Sequence, residues 1–124
     1  MNPIKVLAVD DDIINLKLLK SMLLKLPNVE EVIEAKNGAD ALGILKNQND
    51  ISLILLDIIM PVMGGIEMLK VVRADEELKS IPVIVLTTDE TKKSEALECG
   101  ANDFVMKPVR LEQVGEKINR LINL

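Results

Sequence analysis

Short apolar runs alternate with amphipathic stretches from one end of this chain to the other, five of each, and that order constrains the fold more than any single motif. The apolar runs predict strands over Ile4–Val9, Val29–Ala35, Ser52–Asp57, Pro82–Thr87 and Asn102–Met106. The stretches between them predict helices over about Ile13–Leu26, Ala39–Lys46, Gly65–Ala74, Thr91–Cys99 and Leu111–Leu121. Local chemistry supports these assignments. Asp12 is suited to cap the first helix and Pro27 to close it, while Gly38 and Gly100 mark turns or helix ends. Leu111, Val114, Ile118, Leu121 and Ile122 make one apolar stripe on the last helix. The fourth helix has only Ala96, Leu97 and Cys99 as apolar anchors, so it is expected to be exposed and loosely held.

A strand covered on both faces reads as a continuous apolar run, whereas an edge strand alternates. The first run, apart from Lys5, and the third and fourth, apart from their ends, are continuous and read as interior strands. Val29–Ala35 carries three acids and the fifth run is short with Asn102 and Asp103, so both read as edges. Right-handed crossovers then favour a doubly wound parallel α/β sheet in the order 2-1-3-4-5, with a core drawn from Val6, Ala8, Leu53, Leu55, Val83 and Val85. In that order the sheet reverses direction between its first and third strands, and ligands bind at the carboxyl ends beside such a reversal. Asp10, Asp11 and Asp57 land there.

A chain of 124 residues, 48% of them apolar, has the size and core of one domain, expected to span 1–124. The net charge of −5 with dispersed Lys and Arg argues against nucleic acid or an anionic membrane as partner. The lone Cys99, read as a small core residue, fits a cytoplasmic location; the N-terminus has no signal pattern and no apolar run approaches the ~18 residues of a membrane span. Histidine is absent, which excludes His-ligated zinc, Ser-His-Asp or Cys-His catalysis and a phosphohistidine role. With Phe104 as the only aromatic residue there is no platform for stacking bases. Chemistry here must run on carboxylates, hydroxyls and a lysine.

Asp57 closes the most apolar segment of the chain, directly after Leu53-Ile54-Leu55-Leu56, where a carboxylate is costly without a cation or donors beside it. Taken singly, Asp10-Asp11-Asp12 is a turn and helix cap, Thr87-Thr88 a strand end and Lys107 a surface lysine. Together they place three acids, a hydroxyl pair and a lysine at one edge of one sheet. That set suits a hard cation plus an anion, with Mg²⁺ or Mn²⁺ favoured by the all-oxygen ligands.

Val9-Asp10-Asp11-Asp12, Leu56-Asp57-Ile58-Ile59-Met60-Pro61 with Gly64-Gly65, Leu86-Thr87-Thr88 and Phe104-Val105-Met106-Lys107-Pro108 together resemble the receiver domain of bacterial two-component response regulators, in the family's order and spacing over the whole chain. The resemblance implies a flavodoxin-like (βα)5 fold. It further implies Asp57 as phosphoacceptor, Asp11 as a direct Mg²⁺ ligand, Asp10 as a ligand through water and Ile59 as a ligand through its backbone carbonyl. Lys107 and Thr87 would bind the phosphoryl group, joined by the Thr88 backbone N–H, and Lys107-Pro108 corresponds to a cis peptide in the family. Thr88 departs from the smaller residue usual there. Ile59 and Asp89 flank the path of attacking water at positions that vary. Phe104 stands for a switch aromatic, and without a hydroxyl its outward position is expected to lack a polar tether. The implied partners are a sensor histidine kinase or phosphotransfer protein and a downstream protein that reads the surface of the fourth helix, fifth strand and fifth helix. The implied activity is self-phosphorylation, with autodephosphorylation, rather than turnover of a general substrate.

Two other readings fit part of the pattern. A haloacid-dehalogenase-type phosphatase would use Asp10-x-Asp12, Thr87 and Lys107, but finds no acidic cluster after Lys107 and no role for Asp57. A receiver-like scaffold without phosphate turnover is the other.

Overall fold

The computed structural model describes residues 3–60 and 62–122. Five parallel strands, β1 (Ile4–Val9), β2 (Val29–Ala35), β3 (Leu53–Asp57), β4 (Val83–Thr87) and β5 (Asp103–Met106), form one sheet in the order β2-β1-β3-β4-β5. Helices α1 (Ile13–Leu23), α2 (Gly38–Asn47), α3 (Gly65–Ala74), α4 (Lys93–Glu98) and α5 (Leu111–Ile122) cover both faces, with a 3₁₀ turn at Glu90–Lys92 before α4.

Burial follows the logic of the sequence. Every residue of β3 and β4 is buried, whereas β2 buries only Val29, Val32 and Ala35, and β5 only Val105. Alternation along the strands divides the core in two. Leu7, Val9, Ile54, Leu56, Val83 and Val85 face α2, α3 and α4. Val6, Ala8, Leu53, Leu55, Ile84 and Val105 face α1 and α5. The expected core residues are all buried, drawn from both layers.

Caps set the helix starts. The Asp12 carboxylate accepts from the N–H groups of Ile14 and Asn15, and Asn37 Oδ1 accepts from Asp40 N–H. Two helices differ from expectation. α1 stops at Leu23, and Lys25 and Leu26 continue with tighter i→i+3 bonds, because Pro27 disfavours the helical conformation at the residue before it. The fourth helical segment splits into the 3₁₀ turn and a six-residue α4 that buries only Ala96.

The weakness of α4 has a magnitude. α3 buries Met68, Leu69 and Val72 at roughly 1.5–3 kcal/mol each, whereas one alanine methyl contributes about 0.8 kcal/mol. The C-terminal end of α4 is nonetheless fixed. Gly100 adopts φ +109, and its carbonyl accepts from Arg73 Nε at 2.9 Å. The same guanidinium donates to the carbonyls of Lys79 and Ile81 and to Asn102 Oδ1. Nothing in the sequence around Arg73 signals this role, since its acceptors come from two loops, residues 79–81 before β4 and 100–102 before β5.

Candidate functional site

Strand register assembles the site. Val9 pairs with Leu56, so Asp10 and Asp57 emerge side by side at the carboxyl end of the sheet. Asp57 pairs with Leu86 and Thr87 with Met106, which brings Thr87 and Lys107 to the same edge. By alternation Asp57 points to the α1–α5 side with Leu53 and Leu55, whereas Thr87 points to the α4 side with Val83 and Val85.

Asp10 and Asp57 are 2% and 7% exposed, which makes their partners decisive. Asp10 Oδ1 accepts from Asp12 N–H at 2.9 Å, and its Oδ2 accepts from Lys107 Nζ at 3.0 Å. The same ammonium stands 3.5 Å from Asp57 Oδ2. Burial raises the Asp57 carboxyl to about 6; Lys107 opposes that rise, the charge of Asp10 adds to it, and a hydrogen bond from the Ile59 backbone opposes it again. For Lys107, burial acts downward, but the hydrogen bond to Asp10 and the charges of Asp57 and Asp10 outweigh it and leave the ammonium above its ordinary value.

Carboxylate oxygens of Asp10, Asp11 and Asp57 lie within 4.8 Å of one another, and Asp11 is exposed, open to solvent on the outer side of the cluster. Three hard oxygen donors with one solvent-facing side fit a divalent cation that keeps several of its waters. Thr87 is 1% exposed and its Oγ1 accepts from Asp89 N–H at 3.0 Å, so its hydroxyl holds the loop leading into α4. Thr88 is exposed and lines, with Asp10, Leu18, Lys107 and Pro108, a cavity of about 420 Å³ beside the acids. Ile59 exposes its side chain, and the Lys107–Pro108 peptide is cis. Phe104, on the strand next to Thr87, is half-buried and does have a polar neighbour: Lys93 Nζ lies 5.4 Å from the ring centroid. A polar neighbour at the ring was not expected from the sequence. Sequence reading missed the contact because it joins an edge strand to a helix whose orientation the sequence leaves open.

The family model for the response regulator receiver domain matches residues 6–119. The chain belongs to that family. It is 32% identical over 120 residues to a chemotaxis protein CheY homolog of Campylobacter jejuni, covering 95% of this chain and 92% of that protein. It is 36% identical over 119 residues to the two-component response regulator ORR3 of Oryza sativa, covering 94% and 89%. Among solved structures, a putative response regulator from Chloroflexus aurantiacus superposes with a TM-score of 0.91 at 27% identity, covering 99% of this chain and all of that one. CheY4 of Vibrio cholerae superposes with a TM-score of 0.86 at 33% identity, covering 96% and 98%.

The protein is therefore a receiver domain of the CheY-like kind, a phosphoacceptor in two-component signalling, with the flavodoxin-like fold. The phosphatase alternative is not favoured. It leaves no role for Asp57, which lies with Asp10 and Lys107 in the same cluster. Among the described residues, no helix is long and apolar enough to cross a membrane.

Proposed function

We propose that residues 1–124 act as one receiver domain whose Asp57 accepts a phosphoryl group from a phosphohistidine on a sensor kinase or phosphotransfer protein, or from a small acyl phosphate. The observation that carries this reading is the burial of Asp57 at the end of an aliphatic strand, within reach of one lysine and two further acids. A carboxylate oxygen of Asp57 attacks phosphorus in line, the bond from phosphorus to the donor's imidazole nitrogen or acyl oxygen breaks, and the leaving group departs with the electron pair. No acid–base residue is required.

Asp11 directly, Asp10 through water, Asp57 and the Ile59 carbonyl would hold Mg²⁺, with Mn²⁺ as substitute. A bound divalent cation supplies positive charge against the phosphoryl oxygens. Lys107, already poised between Asp10 and Asp57, turns its ammonium to the incoming phosphoryl oxygens. Thr87 Oγ and the Thr88 N–H add two further donors. Turning the Thr87 hydroxyl toward the phosphate releases Asp89 N–H, which alters the weakly anchored α4 and the α4-β5-α5 face read by a downstream protein. Phe104 moves from half-exposed to buried in this switch. Water admitted past Ile59 and Asp89 returns the domain to rest, and the protein works in the cytoplasm.

Intact-mass measurement with a small acyl phosphate tests the reading. One phosphoryl group should appear in Mg²⁺, little in excess chelator and none on Asp57→Asn; full labelling of that variant would move the acceptor elsewhere.

A further inference from the structure

Phe104 is the only aromatic residue of the chain, and it sits on the edge strand β5. Register pairs it with Val85, and Thr87 with Met106. Residues two apart share a face of a sheet. Thr87, Val85 and Phe104 therefore project to the side that α4 covers, with Phe104 diagonally beside Thr87.

Lys93 is the first residue of α4. Its ammonium, 5.4 Å from the Phe104 centroid, is within the ~6 Å range of a cation–π contact. Among the described residues Lys93 takes part in no salt bridge, so the ring is the recorded partner of its charge. The two ends of α4 are held differently. Beyond its C-terminal end the Gly100 carbonyl is fixed by Arg73. Ahead of its N-terminus the Asp89 N–H rests on the Thr87 hydroxyl. A change at Thr87 thus reaches the N-terminal end, where Lys93 stands, while the Arg73 clamp keeps the far end in place.

We propose that Lys93 is the tether that holds Phe104 outward: a cation–π clasp between the first residue of α4 and the ring on β5 sets the resting level of the switch, and it opens when Thr87 lets go of the Asp89 N–H. This rests on the reading of Thr87 and Phe104 as a switch given above. The clasp takes the place of the hydroxyl that a phenylalanine lacks. An exposed contact of this kind biases an equilibrium about two- to fivefold, enough to set a background level and too little to resist phosphorylation.

With one phenylalanine in the chain, biosynthetic 4-fluorophenylalanine gives a single ¹⁹F resonance. The whole protein is compared as wild type, Lys93→Met, which keeps an unbranched apolar stem and removes the charge, and Lys93→Arg, which restores a cation, each in Mg²⁺ with and without saturating acyl phosphate. Without donor, the Lys93→Met resonance should lie displaced along the line toward the donor-saturated position, matching a two- to fivefold rise in the inward-to-outward ratio. The donor-induced change should shrink in proportion, and Lys93→Arg should sit at the wild-type position. A Lys93→Met resonance that coincides with wild type while donor still moves both overturns the tether and leaves the switch reading standing. A resonance that donor moves in no variant, with Asp57 phosphorylated by mass, overturns the switch reading and the role of the tether with it.

Discussion

Lys107 Nζ stands 3.0 Å from Asp10 Oδ2 although the two residues are 97 positions apart, and the same ammonium reaches Asp57. A buried acid and a lysine of low exposure in this arrangement stabilise each other only as a pair, since removing one leaves the other charge uncompensated.

Lys107→Ala should therefore cost about 3 kcal/mol of metal-free stability, because Asp10 loses its cation. The variant should bind Mg²⁺ as tightly as wild type or more so, the acids now having no internal positive charge, yet accept phosphate poorly. Asp11→Ala should do the opposite, weakening Mg²⁺ on the order of tenfold or more while keeping the Lys107 bridge. Calorimetric titration of each variant with Mg²⁺ separates the roles, and metal lost with Lys107 but kept without Asp11 would reverse them.

Asp57 makes metal-free stability depend on pH with a definite sign. Its carboxyl holds a proton up to about 6 in the folded chain against an ordinary value of 3.8, so between these values the folded state binds more protons. Stability should fall as pH rises from about 4 to about 6, by roughly 3 kcal/mol, and stay level outside that window as far as this group is concerned. Asp57→Asn should flatten that segment and be more stable than wild type at neutral pH by up to the same ~3 kcal/mol. Urea unfolding across pH in chelator measures both, and an unchanged slope in the variant would assign the dependence to other groups.

Thr87→Ala removes the acceptor for Asp89 N–H at a cost of about 0.5–1.5 kcal/mol, and Thr87→Ser keeps it. Labelling of Asp57 should persist in both. The response of α4 and β5 amides to phosphorylation should persist only in the serine variant. Equal responses would remove Thr87 from the path.

Gly65 touches the strand that carries Asp57. A Cβ added there would overlap the Asp57 carbonyl and lie 2.7 Å from Ile58 Cα, both backbone positions that cannot swing aside. Gly65→Ala should lose about 1–3 kcal/mol and displace Asp57, lowering phosphorylation, whereas Gly43→Ala, whose Cβ meets open space within a helix, should be neutral or stabilising. Thermal unfolding beside intact-mass labelling distinguishes the two.

Much of this protein was determined by local sequence. The largely apolar runs of β1, β3 and β4, the acids thinning β2 and the polar start of β5 point to the sheet and its order, because strands covered on two faces are mostly apolar. The site residues were legible for the same reason: Asp57 violates an apolar run, and such a violation persists where something else repays it. Only the tertiary structure decided what joins elements whose mutual orientation no local pattern encodes. Register brought Lys107 onto Asp10, close approach of α3 to β3 requires Gly65, two loops converge on Arg73, and the short α4 aims Lys93 at Phe104. Periodicity reports which face of an element is buried, while distances between side chains on different elements arise only once the whole sheet has twisted and packed.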